Sequence, residues 1–148
     1  MIKEYKGDLL NSGCDIICHQ VNLQGCMGGG LAKQIATKYP GCEEQYQKFC
    51  KKYDFYCLGG KVQYYKIDGG QYIANCFSQD EWFRTEYKWL KEIVKTIRDF
   101  ASHMCAKTIG IPKNYGCGIA VGNWEKVKRI WTNIFKDIKN IELQIWEI

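Results

Sequence analysis

Residues 19–35, HQVNLQGCMGGGLAKQI, combine side chains that can do hydrogen-bonding or acid–base chemistry with a run of glycines. His19 and Asn22 follow an apolar run at 16–18, and three glycines at 28–30 lead into good helix formers. Glycines at a strand-to-helix turn let the backbone approach a ligand without a clash from Cβ. The free amides and the dipole at the helix start favour an anion, above all a phosphate. A purely structural turn would use glycines too, so this segment alone leaves both interpretations open.

A second glycine-rich segment, IPKNYGCGIAVGNW at 111–124, also runs from a buried strand to a helix. Neither segment has the G-x-x-x-x-G-K-[ST] pattern of a Walker loop or a clean G-x-G-x-x-G dinucleotide fingerprint. Two such turns in one small domain can face each other across a crevice and hold a diphosphate from both sides. The pair therefore favours a diphosphate ligand over two independent structural turns.

Composition limits the classes of function. The 148 residues suit one domain, 1–148, and 46% hydrophobic residues are typical of a globular protein. No stretch approaches a membrane span and the N-terminus is polar, so we expect a cytoplasmic protein. The net charge of +5 is spread out, with no dense basic block, so nucleic-acid binding has little support.

Nine cysteines and two histidines raise the question of a metal or disulfide framework. The cysteine count is odd and no pair forms C-x-x-C, which fits neither a zinc site nor a secreted disulfide framework. We expect small buried residues in a reducing compartment, and no metal or cofactor.

Short strand patterns alternate with helical ones along the chain. The expected strands are 2–6, 14–21, 60–67, 71–77, 107–112 and 141–148, with Asp68-Gly69-Gly70 as a hairpin turn. The expected helices are 31–39, a second that starts at Pro40, 85–104 with Thr85 as its cap, and a long one that Asn123 caps. Alternation of this kind predicts an α/β domain, a three-layer α/β/α sandwich with a mixed, mostly parallel central sheet. Ligands of such sheets bind beyond the carboxyl ends of the strands.

Several motifs, taken in order, resemble the macro domain, the ADP-ribose-binding fold. GDLL at 7–10 is similar to the early G-D-[IL] motif, 22–34 to the first phosphate loop, and 116–127 to the second. The H-x-x-N-x-x-G-x-x-G-G-G-[IL]-A-x-Q pattern that starts at His19 is shared with ADP-ribose 1''-phosphate phosphatases. The G-C-G…W-E-x-V pattern is similar to that of terminal ADP-ribose protein glycohydrolases.

The resemblance implies a role for each matched residue. Asp8 would accept the adenine amino group with the Leu9 backbone nearby, or would simply cap a turn. Asn22 would hold the distal ribose, or would hydrogen-bond within its loop. Backbone amides of the two loops would wrap the diphosphate. These loop positions are Gly28, Gly29, Gly30, Asn114, Tyr115, Gly116, Cys117, Gly118 and Ile119.

Catalytic roles follow less directly. The glycohydrolase branch uses a lysine and an aspartate, but the matching positions here are Gln79 and Ala120, which argues against a lysine–sugar adduct. His19 matches the histidine of the phosphatase branch and could orient water or protonate a leaving oxygen; it could also be a structural histidine. Asp80 could serve as base or nucleophile, or be a loop acid or cap.

Other side chains near the distal ribose are expected to assist. Asn75 and Gln79 could hydrogen-bond it, and Trp82 and Phe83 could form an apolar lid. Cys117 has no activating base, so we interpret it as a packing residue. Together, the resemblance implies a hydrolase of an ADP-ribose derivative in which His19, Asn22 and Asp80 hold the water. A non-catalytic reader of ADP-ribose is the alternative. The expected partner is ADP-ribose or an ADP-ribosylated substrate, not a membrane, and we expect a monomer.

Overall fold

The computed structural model describes residues 1–118 and 120–148, which form a six-stranded sheet between two layers of helices. The strands are β1 Ile2–Lys6, β2 Ile16–Gln20, β3 Val62–Lys66, β4 Tyr72–Cys76, β5 Thr108–Pro112 and β6 Glu142–Glu147. The helices are α1 Gly30–Lys38, α2 Pro40–Lys52, α3 Phe55–Leu58, α4 Tyr87–His103 and α5 Trp124–Phe135, with a short 3₁₀ helix at Leu9–Asn11.

The strand order is β1-β6-β5-β2-β4-β3. Every neighbouring pair is parallel except β3 and β4, which form an antiparallel hairpin. The expected three-layer sandwich with a mixed, mostly parallel sheet is therefore confirmed. The carboxyl ends of β2 and β5 lie side by side near the middle of the sheet, and each leads into one of the glycine-rich turns.

Alternation along the strands divides the core into two halves. In β2, Ile16 and Cys18 pack with α4 and α5 on one face, while Ile17 packs with α1 and α2 on the other. The apolar stripe of α4 is buried as its i, i+3, i+4 spacing predicts. His19 follows Ile17 on the α1 and α2 face, which sets its neighbours.

The start of α4 differs from the expectation. Glu86, not Thr85, is the N-cap, and its carboxylate accepts a hydrogen bond from Lys88 N at 3.1 Å. The Thr85 hydroxyl instead donates to Gly116 O at 2.6 Å. Asn123 does cap α5, as predicted, by accepting from Lys126 N. The sequence patterns also gave no sign of the 3₁₀ helix or of α3.

Candidate functional site

Both glycine-rich turns border one cleft of about 640 Å³ at the carboxyl ends of β2 and β5. The first turn contributes residues between Val21 and Ala32, and the second contributes residues between Pro112 and Ala120. This volume lies within the range of ordinary small-ligand sites. The two segments are more than 80 residues apart in the chain, and the parallel pairing of β2 with β5 brings them together.

The Asn22 side chain organises the first turn. Its Oδ1 accepts hydrogen bonds from Gln24 N at 3.1 Å and Cys26 N at 3.2 Å, and its Nδ2 donates to Cys26 O at 2.9 Å. The buried Tyr46 hydroxyl lies 2.7 Å from the same Oδ1. The amide oxygen is thus fully engaged within the protein, which matches the loop-bonding alternative. The second Nδ2 hydrogen remains to meet a ligand in the cleft that Asn22 lines.

The start of α1 leaves its backbone donors open to the cleft. Gly29 is the N-cap with φ −151°, no side chain caps the helix, and its first turn holds no acid. A Cβ built at Gly28, Gly29 or Gly30 would have no neighbouring heavy atom within 4 Å. The first amides of a helix have no intrahelical partner, so they are available to an anion. Gly30 adopts a φ of +57°, which itself favours glycine, whereas the open space at Gly28 and Gly29 leaves a volume that a ligand group can occupy.

The second turn is fixed by tertiary contacts. Asn114 and Gly116 adopt φ values of +65° and +69°. The Gly116 carbonyl accepts from Thr85, and the buried Tyr115 hydroxyl lies 2.7 Å from Ser78 Oγ. Cys117 donates its thiol hydrogen to Tyr115 O at 3.2 Å, and burial raises its pKa, as suits a packing residue. Gly118 lines the cleft, whereas the predicted ligand residue Ile119 lies outside the described residues.

His19 lines the cleft from the end of β2 with only 2% of its surface exposed. Its Nε2 lies 2.6 Å from Asn75 Oδ1, and its Nδ1 has no hydrogen-bond partner among the described residues. Burial lowers the pKa of the imidazole to about 4, against the opposing effect of Asn75. At neutral pH the ring is uncharged, so the expected donation of a proton to a leaving oxygen is not supported. Acceptance of a hydrogen bond from water is compatible with this state.

Asp80 does not line the cleft with His19. Its carboxylate accepts from Trp82 N at 2.8 Å and Arg84 N at 2.9 Å, and it pairs with Arg84 Nε at 3.3 Å. It borders a separate depression of about 330 Å³ and is not among the described residues that line the glycine cleft. The geometry is that of the turn-capping alternative, because backbone amides already occupy the carboxylate.

Asp8 and Leu9 lie at the carboxyl end of β1, at the same edge of the sheet but two strands away from β5. Asp8 caps the 3₁₀ helix by accepting from Leu10 N at 2.9 Å, and the Leu9 side chain is fully buried. Neither is among the described residues that line the cleft. Their predicted contact with adenine stays a prediction.

Comparisons with known proteins place this geometry in a context. No protein-family model matches the chain. It is 26% identical to a DNA ADP-ribosyl glycohydrolase of Mycobacterium tuberculosis over 99% of its length, and it spans only 42% of that relative. It is 41% identical to an ADP-ribose 1''-phosphate phosphatase of Saccharomyces cerevisiae over 36% of its length, which is 32% of the relative. The chain therefore spans less than half the length of these relatives.

Solved structures decide the fold. The macrodomain of Thermus aquaticus DarG superposes with a TM-score of 0.85 at 22% identity, covering 100% of this chain and 99% of the other. Thermosipho africanus DarTG in complex with ADP-ribose gives a TM-score of 0.82 at 22% identity, covering 96% of this chain and 40% of the other. This chain has the macrodomain fold. The expected fold is thus confirmed.

The macrodomain departs from the glycohydrolase pattern at the positions where the resemblance places catalytic groups. Gln79 and Ala120 both line the cleft. A neutral amide and a methyl group stand where a lysine and an aspartate are expected, so no lysine–sugar adduct can form at these positions. Only one of the two residues predicted to form an apolar lid lies at the cleft. Phe83 lines the cleft with a φ of +63°, while Trp82 borders the separate depression of Asp80.

Two residues that line the cleft, Gln20 and Lys113, were not among the predicted site residues. Gln20 lines the cleft, accepts from Ser78 Oγ at 2.7 Å and donates to Thr85 Oγ1 at 3.1 Å, so it braces the second turn against β2. Lys113 lines the cleft with its ammonium 2.7 Å from Glu147, which raises the pKa of the lysine. The available signal was a place at the end of a strand for Gln20 and directly after one for Lys113, but many residues without a role in a site share such places.

Metal chemistry has no support from the described part of the chain. No group of three or more His, Cys, Asp or Glu side chains there is close enough to hold an ion. All nine cysteines are free thiols, and four of them are buried. Cys26, Cys57 and Cys105 are exposed, so the expectation of small buried residues is wrong for these three. No helix in the described ranges is long and apolar enough to cross a membrane.

Proposed function

We propose that this macrodomain binds ADP-ribose in the cleft between its glycine turns and hydrolyses a group from C1'' of the distal ribose of an ADP-ribose derivative. The observation that carries the proposal is that the uncapped start of α1 and the second glycine turn border a single cleft. Backbone amides from both sides suit a diphosphate because they bind an anion without any particular side chain. The names of the relatives and the ADP-ribose complex of a structural neighbour support the same ligand class.

The residues at the cleft suggest how hydrolysis would proceed. Amides that hold the phosphates fix the distal ribose, and neutral His19 accepts a hydrogen bond from the attacking water. Positioning of this kind and amides aimed at developing charge supply much of the rate enhancement in other enzymes. Asp80 has no part in this scheme because its carboxylate is held by Trp82 and Arg84 backbone amides.

Titration calorimetry with ADP-ribose, ADP and AMP tests the binding step. We expect saturable binding of ADP-ribose and much weaker binding of AMP, which lacks the diphosphate. A Kd for ADP-ribose weaker than about 1 mM, which corresponds to a binding free energy of roughly −4 kcal/mol, would contradict the proposal. Turnover is then measured on ADP-ribose 1''-phosphate, on ADP-ribosylated protein and on ADP-ribosylated DNA. Release from at least one of the three is expected.

A second candidate function is a non-catalytic reader of ADP-ribose. Gln79 and Ala120 favour it, because the cleft lacks ionisable groups at both positions. A reader binds ADP-ribose but turns over none of the three substrates. The Gln79→Lys, Ala120→Asp double variant is a sensitive test: gain of glycohydrolase activity over an inactive parent would identify the parent as a reader on a competent scaffold.

We further propose that the protein acts in the cytoplasm as a monomer. Exposed Cys26, Cys57 and Cys105 favour a reducing compartment, where such thiols stay unpaired. Light scattering coupled to size exclusion tests the oligomeric state. A stable dimer at micromolar protein would contradict it.

A further inference from the structure

A chain of buried amide side chains leads from His19 into the sheet. His19 Nε2 lies 2.6 Å from Asn75 Oδ1, and Asn75 Nδ2 donates to Gln63 Oε1 at 2.7 Å. Gln63 Nε2 in turn donates to the backbone carbonyl of Tyr64 at 3.1 Å. The three side chains come from β2, β4 and β3, and none is more than 8% exposed. Buried polar groups with few alternatives adopt the one arrangement that satisfies them all.

The direction of this chain is fixed at its far end. The Tyr64 carbonyl can only accept, so the Gln63 amide must turn its NH₂ group toward it and its oxygen toward Asn75. Asn75 must then place its own NH₂ group against that oxygen, which leaves its oxygen facing His19. An oxygen at 2.6 Å requires a hydrogen on His19 Nε2. The neutral ring therefore carries its proton on Nε2 and a lone pair on Nδ1.

The surroundings of the chain preserve this order. Cys42 Sγ lies 3.6 Å from Asn75 Nδ2 and 3.9 Å from Asn75 Oδ1, so the thiol can donate to the oxygen without reversing the amide. Burial raises the pKa of Cys42 to about 11, which keeps it protonated. Asn75 is fully buried, so the earlier expectation that it reaches the ribose is wrong.

We infer that Asn75 and Gln63 are positioning residues that hold His19 with a lone pair on its buried, unpartnered Nδ1, and that this lone pair accepts a hydrogen bond from a ligand in the cleft that His19 lines. The donor is a hydroxyl of the distal ribose or the attacking water. A deprotonated phosphoryl oxygen is disfavoured there, since it would face a lone pair. Within the proposed function, on which this inference rests, the arrangement favours an ADP-ribosyl linkage over a 1''-phosphate at the His19 position.

Nitrogen-15 NMR of the two imidazoles tests the inference without any assay of activity. His103 is the other histidine, and His103→Gln assigns its signals. We expect His19 at pH 7 to show a protonated Nε2 and an unprotonated Nδ1. Added ADP-ribose should shift the Nδ1 resonance toward lower frequency, as an accepted hydrogen bond does, and leave Nε2 protonated. A proton on Nδ1 in the unliganded protein would overturn the inference outright.

Variants separate positioning from simple stability. Asn75→Leu removes the acceptor and should give a mixture of the two tautomers. Gln144→Leu is the control, because it removes a different buried amide, 8% exposed and on β6, that makes no contact with His19 or Asn75. It should lower stability and leave the His19 spectrum unchanged. Retention of the pure Nε2–H tautomer in Asn75→Leu would refute the role of Asn75.

Activity data then connect the tautomer with the substrate. In a folded Asn75→Leu variant, kcat should fall at least about tenfold on the active substrate while KM changes little. Equal loss in Gln144→Leu would point to stability alone. If ADP-ribose does not bind at all, the proposed function is wrong. The tautomer of His19 in the free protein is still tested separately, by the nitrogen-15 spectrum without ligand.

Discussion

The uncapped start of α1 predicts that one substitution, Gly29→Asp, will stabilise the fold and weaken the proposed binding of ADP-ribose. Gly29 is the N-cap residue, has extended backbone with φ −151°, and has open space where a Cβ would stand. Aspartate is therefore accommodated without backbone strain. Its carboxylate can accept from the free amides of the first turn, where α1 now has no side-chain cap and no acid.

The expected gain in stability can be estimated from capping. Replacing a glycine N-cap by aspartate gains a few tenths of a kcal/mol, and the helix dipole adds roughly 0.3–1 kcal/mol. The free energy of unfolding should therefore rise by about 1 kcal/mol. For a domain of this size that increase corresponds to a Tm about 3 °C higher.

The expected loss of binding is larger. A carboxylate about 5 Å from a diphosphate with two charges is disfavoured by about 2 kcal/mol at the dielectric constant of water and about 7 kcal/mol at an effective value of 20. Even the smaller figure raises the Kd for ADP-ribose more than tenfold, since 1.4 kcal/mol is a factor of ten. The same carboxylate also competes with the phosphate for the amides of α1.

The assay pairs thermal unfolding with titration calorimetry on one set of proteins. Gly29→Ser is the neutral companion, which caps the helix without charge and should lose less affinity. Asn140→Asp adds the same charge at the amino end of β6, at the opposite edge of the sheet, and should leave the Kd within about twofold, because exposed charges beyond a Debye length are screened. Gly29→Asp protein that binds ADP-ribose like the parent would refute the assignment of α1 to the diphosphate. A lower Tm for Gly29→Asp than for the parent protein would refute the claim that α1 lacks an N-cap.

Three further outcomes follow from the site. Gly116→Ala should lower the free energy of unfolding by at least about 1 kcal/mol in urea titrations, because the φ of Gly116 is +69° and a Cβ would lie 2.7 Å from a side-chain oxygen. Gly118→Ala should change this free energy little, because a Cβ there would have no atom within 4 Å. Phe83→Gly should raise stability by about 1 kcal/mol, since it relieves a φ of +63°, yet weaken ADP-ribose binding, whereas Trp82→Ala should leave the Kd unchanged. The pKa of His19 is about 4 in the folded protein and 6.5 in the unfolded chain, so the unfolded chain binds more protons between these pH values. The free energy of unfolding should therefore fall by about 3 kcal/mol as the pH drops from 6.5 to 4. His19→Gln should make that free energy less dependent on pH.

The fold and the two glycine turns were predictable from the sequence because both depend on local, repeating features. The apolar period of α4 predicts a helix with one buried face, and the glycines at 28–30 predict an open turn with accessible backbone amides. Neither prediction depends on which residues lie nearby in the folded protein. The end of β2 and the start of α1 accordingly fall within two residues of the expectation. The same reasoning applies to Asn123, whose cap is formed with its own helix.

The roles of single side chains were much less predictable, because a distant partner decides them. Thr85 and Glu86 are both able to cap α4, and the choice falls to Glu86 because the Thr85 hydroxyl is taken by Gly116, 31 residues away. Asp80 had the right chemistry for a base, but its own turn uses the carboxylate. Asn75 looked available to a sugar until the sheet placed it against His19.

The electrostatics of the cleft bear on how fast this macrodomain can act. Among the described residues that line it, Lys113 is paired with Glu147 and the Tyr115 hydroxyl is held by Ser78, which leaves the exposed Cys26 thiol and His19. His19 has a free lone pair, but burial sets its pKa near 4, and a base this weak deprotonates water far less readily than one near 7. Turnover should therefore be slow and rest on positioning. It should also be flat in kcat between pH 6 and 8, because His19 stays neutral throughout; a kcat that rises through a pKa near 7 would mean that a different group acts as the base.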